Sequence, residues 1–279
     1  MPEVTPHGFG WHRDLPDPRD FTPQHEAVAG ALRDLEPLRA RSEHVDWREY
    51  CPAIKDQETL AASPAFSCAD LLAYFERRSS GRLIEPSRLF ILQSAQRLLG
   101  WKSDSGVPLR AALRAITQLG VPSEDVWPFE PGRLQQAPDA FVYAAARKFP
   151  GLCYVRLDAP GQRGRETLKV VKSFLAAGFA CVFGFPVSTS VTNEADIPYP
   201  TFFDAMRGGQ AALAVGFDDH RRIRSDRGGL LVGCGWGSGW GERGFGWLPY
   251  CYVIHQLAVD FWTLVRRDWL ASGEFQRPA

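Results

Sequence analysis

A nucleophile needs a hydroxyl or thiol held where positive charge gathers, and one stretch of this 279-residue chain offers that setting. Gln57 is followed by the small run Ala61-Ala62-Ser63 and then by Pro64. Phe66, Leu71, Leu72 and Phe75 recur at three-to-four spacing, which predicts a helix with a buried face just after Ser63. Ser63 before Pro64 reads as an N-cap followed by proline at the first helical position. A helix N-terminus gathers free N–H groups and positive dipole, so a nucleophile or an anion suits it. The six cysteines (Cys51, Cys68, Cys153, Cys181, Cys234, Cys251) are scattered, with no CxxC pair, and read as reduced thiols rather than a disulfide framework. No spacing of His and Cys resembles a zinc site, so neither metal nor cofactor is expected.

The elements that would hold such a site follow from pattern. With 45% hydrophobic and 23% charged residues, the chain can bury a sizeable core. Residues 1–45 read as an extended arm with a short helix around Glu26 to Arg41, and Trp11, Leu15 and Phe21 need a body to bury against. A helical lobe is expected over 46–148. It holds the helix at 64–78, a second helix capped at Pro86-Ser87-Arg88, and a third from Pro108 to Gly120. From 149 to 279 the texture turns to strands: Cys153 to Leu157, Ala180 to Phe185, Ala211 to Phe217, Gly229 to Cys234 and Phe245 to Leu248. One helix, Glu166 to Ala177, interrupts them. Helices first and strands later argue for α+β.

Formal net charge is zero with no long charge run, which favours neither nucleic acid nor an anionic membrane as partner. The cluster Arg221-Arg222-Ile223-Arg224 reads as a solvated hairpin loop. No apolar run is long enough to span a bilayer, and the first residues carry no apolar signal core, so a cytoplasmic location is expected.

Three blocks carry a resemblance. They are Asp56-Gln57 before the central helix, Gly208-Gly209-Gln210-Ala211 to Phe217, and Gly235-Trp236-Gly237-Ser238-Gly239-Trp240-Gly241-Glu242-Arg243-Gly244-Phe245. In this order the chain resembles the papain-like cysteine peptidases, particularly bacterial members without a long propeptide. The resemblance implies a two-lobed α+β fold, a helical lobe against an antiparallel β-barrel-like lobe with a cleft between. It also implies a cysteine nucleophile at the helix start, a histidine base, an asparagine that orients it and a glutamine beside the oxyanion hole. Laid on this chain, the nucleophile position falls on Ser63, the base on Gln210 and the orienting residue on Cys234; Gln57 alone is kept. The resemblance further implies that Asp104-Ser105-Gly106, Gly208, Gly209 and Trp236 line the groove for an extended peptide.

Glutamine has no titratable proton near neutral pH, and an unperturbed serine hydroxyl is a poor nucleophile. The leading expectation is therefore a catalytically inactive member that binds a peptide or protein partner or acts as a scaffold. Two alternatives stand beside it: acyl or amide transfer using Ser63 or Cys234, and a purely structural subunit with the arm and the aromatic C-terminus as contact surfaces. A blocked cleft would favour the structural role. His220 reads as a solvated loop histidine, His255 as a satisfied buried or interface histidine, and Cys68 and Cys234 as core.

Overall fold

A computed structural model describes residues 8–32, 42–101 and 105–276. The arm contains β1 (Trp11–His12) and α1 (Glu26–Leu32). The rest of the helix expected around Glu26 to Arg41 lies outside the described residues. β2 (His44–Asp46) leads to the helical lobe: α2 (Ser63–Ser80), α3 (Arg88–Leu99), β3 (Val107–Pro108), α4 (Leu109–Leu119) and α5 (Ala140–Ala145). The strand-rich lobe follows: β4 (Cys153–Arg156), α6 (Gly164–Ala176), β5 (Cys181–Ser188), β6 (Met206–Ile223), β7 (Asp226–Gly233), β8 (Phe245–Pro249), α7 (Cys251–Ile254), β9 (Val259–Val265) and α8 (Arg267–Ala271).

The α+β reading holds, with one correction to its β half. Seven strands form one sheet in the order β4-β9-β5-β6-β7-β8, with β2 added beside β6. β4 and β8 do not pair, so the sheet stays open rather than closing into a barrel. Its pairings are antiparallel. β6 is long enough to serve β5 with its first half, β7 with its second, and β2 between them.

α2 is the axis of the molecule. It packs on β6 to one side and on α3 and α4 to the other. It is buried continuously from Ser63 to Glu76. Such a helix gains more from tertiary packing than from its own propensity. Gly81, at φ 69°, ends it in the left-handed conformation that a residue with a Cβ adopts at a cost. Ser87 caps α3 by accepting from the Phe90 N–H. The start of α2 differs from expectation: Ala62 is the N-cap, and Ser63 is already helical with Pro64 behind it. Ser63 thus has its own N–H to offer rather than its hydroxyl as a cap.

Inside the helical lobe Arg88 Nη2 meets Asp70 Oδ1 at 2.6 Å, each side chain 3% exposed. Removing one partner strands a buried charge. Arg88→Ala is expected to cost about 3–5 kcal/mol, read as a shift of the urea unfolding curve; a loss below about 1 kcal/mol, the scale of an exposed pair, would contradict it.

The C-terminal aromatics are not free contact surfaces. Trp269 stacks on Phe75 at 4.9 Å and Phe275 lies beside both Phe75 and Phe179, so they close the core over α2. Two arm and tail expectations also change. Leu15 is 80% exposed rather than buried, and His255 is exposed with its Nδ1 3.1 Å from the Tyr199 hydroxyl. Among the described residues no helix is long and apolar enough to cross a membrane.

Candidate functional site

The site forms where the N-terminus of α2 meets the middle of β6. The Gln57 main chain is pinned by its N–H to Gly235 O at 2.9 Å, joining the turn before α2 to the segment after β7. This places four sequence-predicted residues together. Gln210 Nε2 donates to Gln57 Oε1 at 3.0 Å and to Cys234 O. The Ala211 N–H donates to Ser63 Oγ at 3.1 Å. Ser63, Gln57, Gln210 and Cys234 are all fully buried.

Their chemistry is quiet. The described hydrogen bonds of these four side chains include no histidine or carboxylate partner. His220, the histidine nearest Gln210 in the chain, lies on the exposed far part of β6 with Nε2 2.9 Å from Glu43. Burial pushes the Cys234 thiol well above its ordinary range, which disfavours the thiolate needed for attack. Native alkylation should therefore leave Cys51, Cys68, Cys181 and Cys234 unmodified. Half-buried Cys153 should react first, and Cys251, pushed up to about 12 by burial and Asp226, more slowly. Peptide mass mapping reads the order, and early labelling of Cys234 would contradict it. Among the described residues no three His, Cys, Asp or Glu side chains converge as a metal-binding group.

The cleft is filled by the chain's own arm. Phe9 O accepts from the Ser63 N–H at 3.2 Å and from Gln57 Nε2 at 3.0 Å. Gln57 Nε2 also reaches Gly8 O at 2.7 Å and Leu60 O at 3.0 Å, while the Gly8 N–H donates to Glu58 O at 2.7 Å. A helix-terminal N–H and a side-chain amide converging on one carbonyl form a two-donor oxygen hole, here occupied by Phe9.

The expected groove residues surround that arm. A Cβ on Gly106 would lie 1.6 Å from Gly10 O, one on Gly208 would strike the Phe9 ring at 2.5 Å, and one on Gly209 would meet Trp11 O at 2.7 Å. Trp236, packed edge-on against Trp240 at 4.8 Å, borders the same small void as Phe9. Ser105 is held to α3, its O accepting from Gln96 Nε2 at 2.7 Å. Asp104 lies outside the described residues. Gly8 to Trp11 are the residues that sequence reasoning missed as part of the site. Their signal was the alternation Gly-Phe-Gly-Trp inside an arm already expected to lie on the body.

The exposed Glu58 holds φ at 55°, in the left-handed region that a side chain disfavours. Its N–H is fixed by Asp56 Oδ1 at 2.7 Å.

Comparison with known proteins decides the family. An uncharacterized peptidase C1-like protein of Acanthamoeba polyphaga mimivirus is 31% identical over 218 residues, 75% of this chain and 68% of that protein. The chain belongs to the papain-like, peptidase C1-like family. Xylellain, a cysteine protease from Xylella fastidiosa, is a structural neighbour at 29% identity and TM-score 0.75, with 95% of this chain and 98% of that one covered. Digestive procathepsin L2 of the Tenebrio molitor larval midgut shares the fold at 17% identity and TM-score 0.69, over 95% of this chain and 80% of that one. No protein-family model matches the chain.

Proposed function

We propose that this papain-like chain does not hydrolyse peptides and serves as a binding or scaffold protein. The observation that carries the reading is Gln210, an amide hydrogen-bonded to Gln57 and Cys234 where a base would have to stand beside Ser63. An amide neither accepts the nucleophile's proton nor passes it to a leaving amine. Loss of a triad nucleophile or base costs about a million-fold in turnover, and the two-donor hole leaves about a thousand-fold over water. Acyl or amide transfer at Ser63 or Cys234 meets the same objection, since neither side chain has a described acid–base partner.

The filled cleft favours a structural subunit over a groove standing permanently open. The two roles meet if the arm is the groove's resident ligand. A fluorogenic peptide assay of wild type and Ser63→Ala tests inactivity, and both are expected at the background rate. Wild-type turnover that Ser63→Ala abolishes would overturn the reading.

A further inference from the structure

The arm is held in the groove by features that define a ligand chemistry. Gly8 and Gly10 lie where no side chain fits: a Cβ on Gly8 would be 2.1 Å from Leu60 O, and one on Gly10 2.4 Å from the Ala61 carbonyl. Gly10 also takes φ +118°, a conformation that disfavours any L side chain. Between them the half-buried Phe9 borders, with Val187, Val191, Thr192, Arg207, Trp236 and Trp240, a void of only about 10 Å³, and its ring lies where Gly208 has no side chain. Beyond Gly10 the Trp11 ring lies where Gly184 and Gly209 have no side chains, its Nε1 donating to Asp260 Oδ2 at 3.2 Å. The Trp11–His12 backbone runs parallel to Val107–Pro108. The groove thus pairs close backbone passage at two positions with aromatic sockets at the alternate two.

We propose that this groove accepts, in exchange with its own arm, an extended segment of a partner protein with the pattern glycine–aromatic–glycine–tryptophan. The inference rests on reading the chain as a binding or scaffold protein and names the chemistry of what it binds. Every contact made by residues 8–11 is a contact a free segment of that pattern can repeat, and the Ser63 N–H and Gln57 amide supply the fixed carbonyl hole. Farther along, Asp14 and Asp20 tie the arm to the body through Asp260, Trp262 and Arg110. Only the tip therefore needs to leave. A second copy offers the same four residues, but it brings no contact that the tether does not already provide. The tethered tip competes at a high effective concentration, so exchange is weak until the tip is loosened.

The test uses the full chain and a fluorescein-labelled, C-terminally amidated peptide containing Gly-Phe-Gly-Trp, followed by fluorescence anisotropy. The arm variant Phe9→Ala with Trp11→Ala leaves the groove intact and is expected to bind the peptide at least about tenfold more tightly than wild type. A peptide with valine in place of its second glycine should lose binding, as should Gly208→Val added to the arm variant. Circular dichroism checks that each variant is folded. On wild type, saturating peptide should speed hydrogen exchange at the Gly8 amide, which needs no variant. Equal peptide affinity in wild type and arm variant, or indifference to the valine, would overturn the proposal. Mass spectrometry of the bound peptide separates the two readings. Cleavage would sink inactivity while leaving recognition standing, and an intact peptide that does not bind would sink recognition alone.

Discussion

Ser63→Cys, Gln210→His and Cys234→Asn together, in a chain whose arm tip is loosened by Phe9→Ala and Trp11→Ala, are expected to turn peptide hydrolysis on. The rise over wild type should be at least about a thousand-fold, a fraction of the million-fold that a triad member commands. The reason is geometric. Position 210 already faces both the Gln57 amide and the Cys234 carbonyl, and position 63, at the start of α2, is joined to the same β6 segment by the Ala211 N–H. An imidazole at 210 would stand between a thiol and an orienting amide and could take the proton that glutamine cannot. The hole made by the Ser63 N–H and Gln57 Nε2 is in place once Phe9 O vacates it. Triad members act as a unit, so each substitution alone should stay at background. Initial rates on a fluorogenic peptide read the result. Wild type matching the combined variant would mean that the native residues already work and that the inactive reading is wrong.

How much of this was legible before the fold depends on what each residue contributes to a pattern. Ser63 and Gln210 are 147 positions apart, yet local blocks marked both, because tight glycine-rich turns and a helix start leave residue-level traces. The buried run Val259–Val265, with Asp260 and Thr263 inside it, left none as a strand. Every residue in it is buried, since the strand sits between β4 and β5 under cover on both faces, so it shows no alternation to read. Val28, Leu32 and the burial at Trp11 fit an arm laid on a body, whereas Leu15 does not. The turn toward Asp20 leaves Leu15 in solvent while its neighbour Asp14 goes inside. The alternation in Gly8 to Trp11 marks an extended segment, but four residues do not say which surface it lies on. Their meaning lies in the glycines facing them, at 106, 184, 208 and 209. The long β6 was underestimated for the opposite reason: Asp218 to Arg222 is polar and carries a register shift, so its pairing with β7 is hidden from a hydrophobic pattern.

Asp14→Asn is expected to make the docked arm, and with it the whole protein, less sensitive to pH between about 4 and 7. Asp14 is buried with Oδ2 accepting from Trp262 Nε1 at 2.9 Å and from the Arg110 N–H at 3.3 Å, while its own N–H donates to Asp260 Oδ2 at 2.8 Å. Around it stand the carboxyls of Asp20, Asp158 and Asp260 against the guanidiniums of Arg110 and Arg156, with Arg13 near Asp260 at the surface. Four acids share two cations, the buried Arg156 and the half-buried Arg110. Burial first, and then the Asp260 charge, push Asp14 up to about 7; burial also pushes Asp158 up to about 6. A carboxyl raised in the fold from its ordinary 3.8 favours the folded state most when protonated, so its contribution is full below about 4 and fades as pH climbs to about 7. At about 1.4 kcal/mol per pH unit, the loss from Asp14 by pH 8 is at most about 4 kcal/mol. Asparagine keeps an oxygen for Trp262 and the Arg110 N–H but carries no charge at any pH. Urea midpoints should therefore show Asp14→Asn more stable than wild type at pH 8 and no more stable at pH 5. The difference between the two proteins isolates Asp14 from the other carboxyls that titrate in the same range. In wild type the Gly8 amide should exchange faster at pH 8 than at pH 5 after correction for intrinsic rate, because the same loss loosens the arm. Parallel stability curves for the two proteins would mean that Asp14 is held ionised by Arg110 and Arg156 and that the anchor carries no proton.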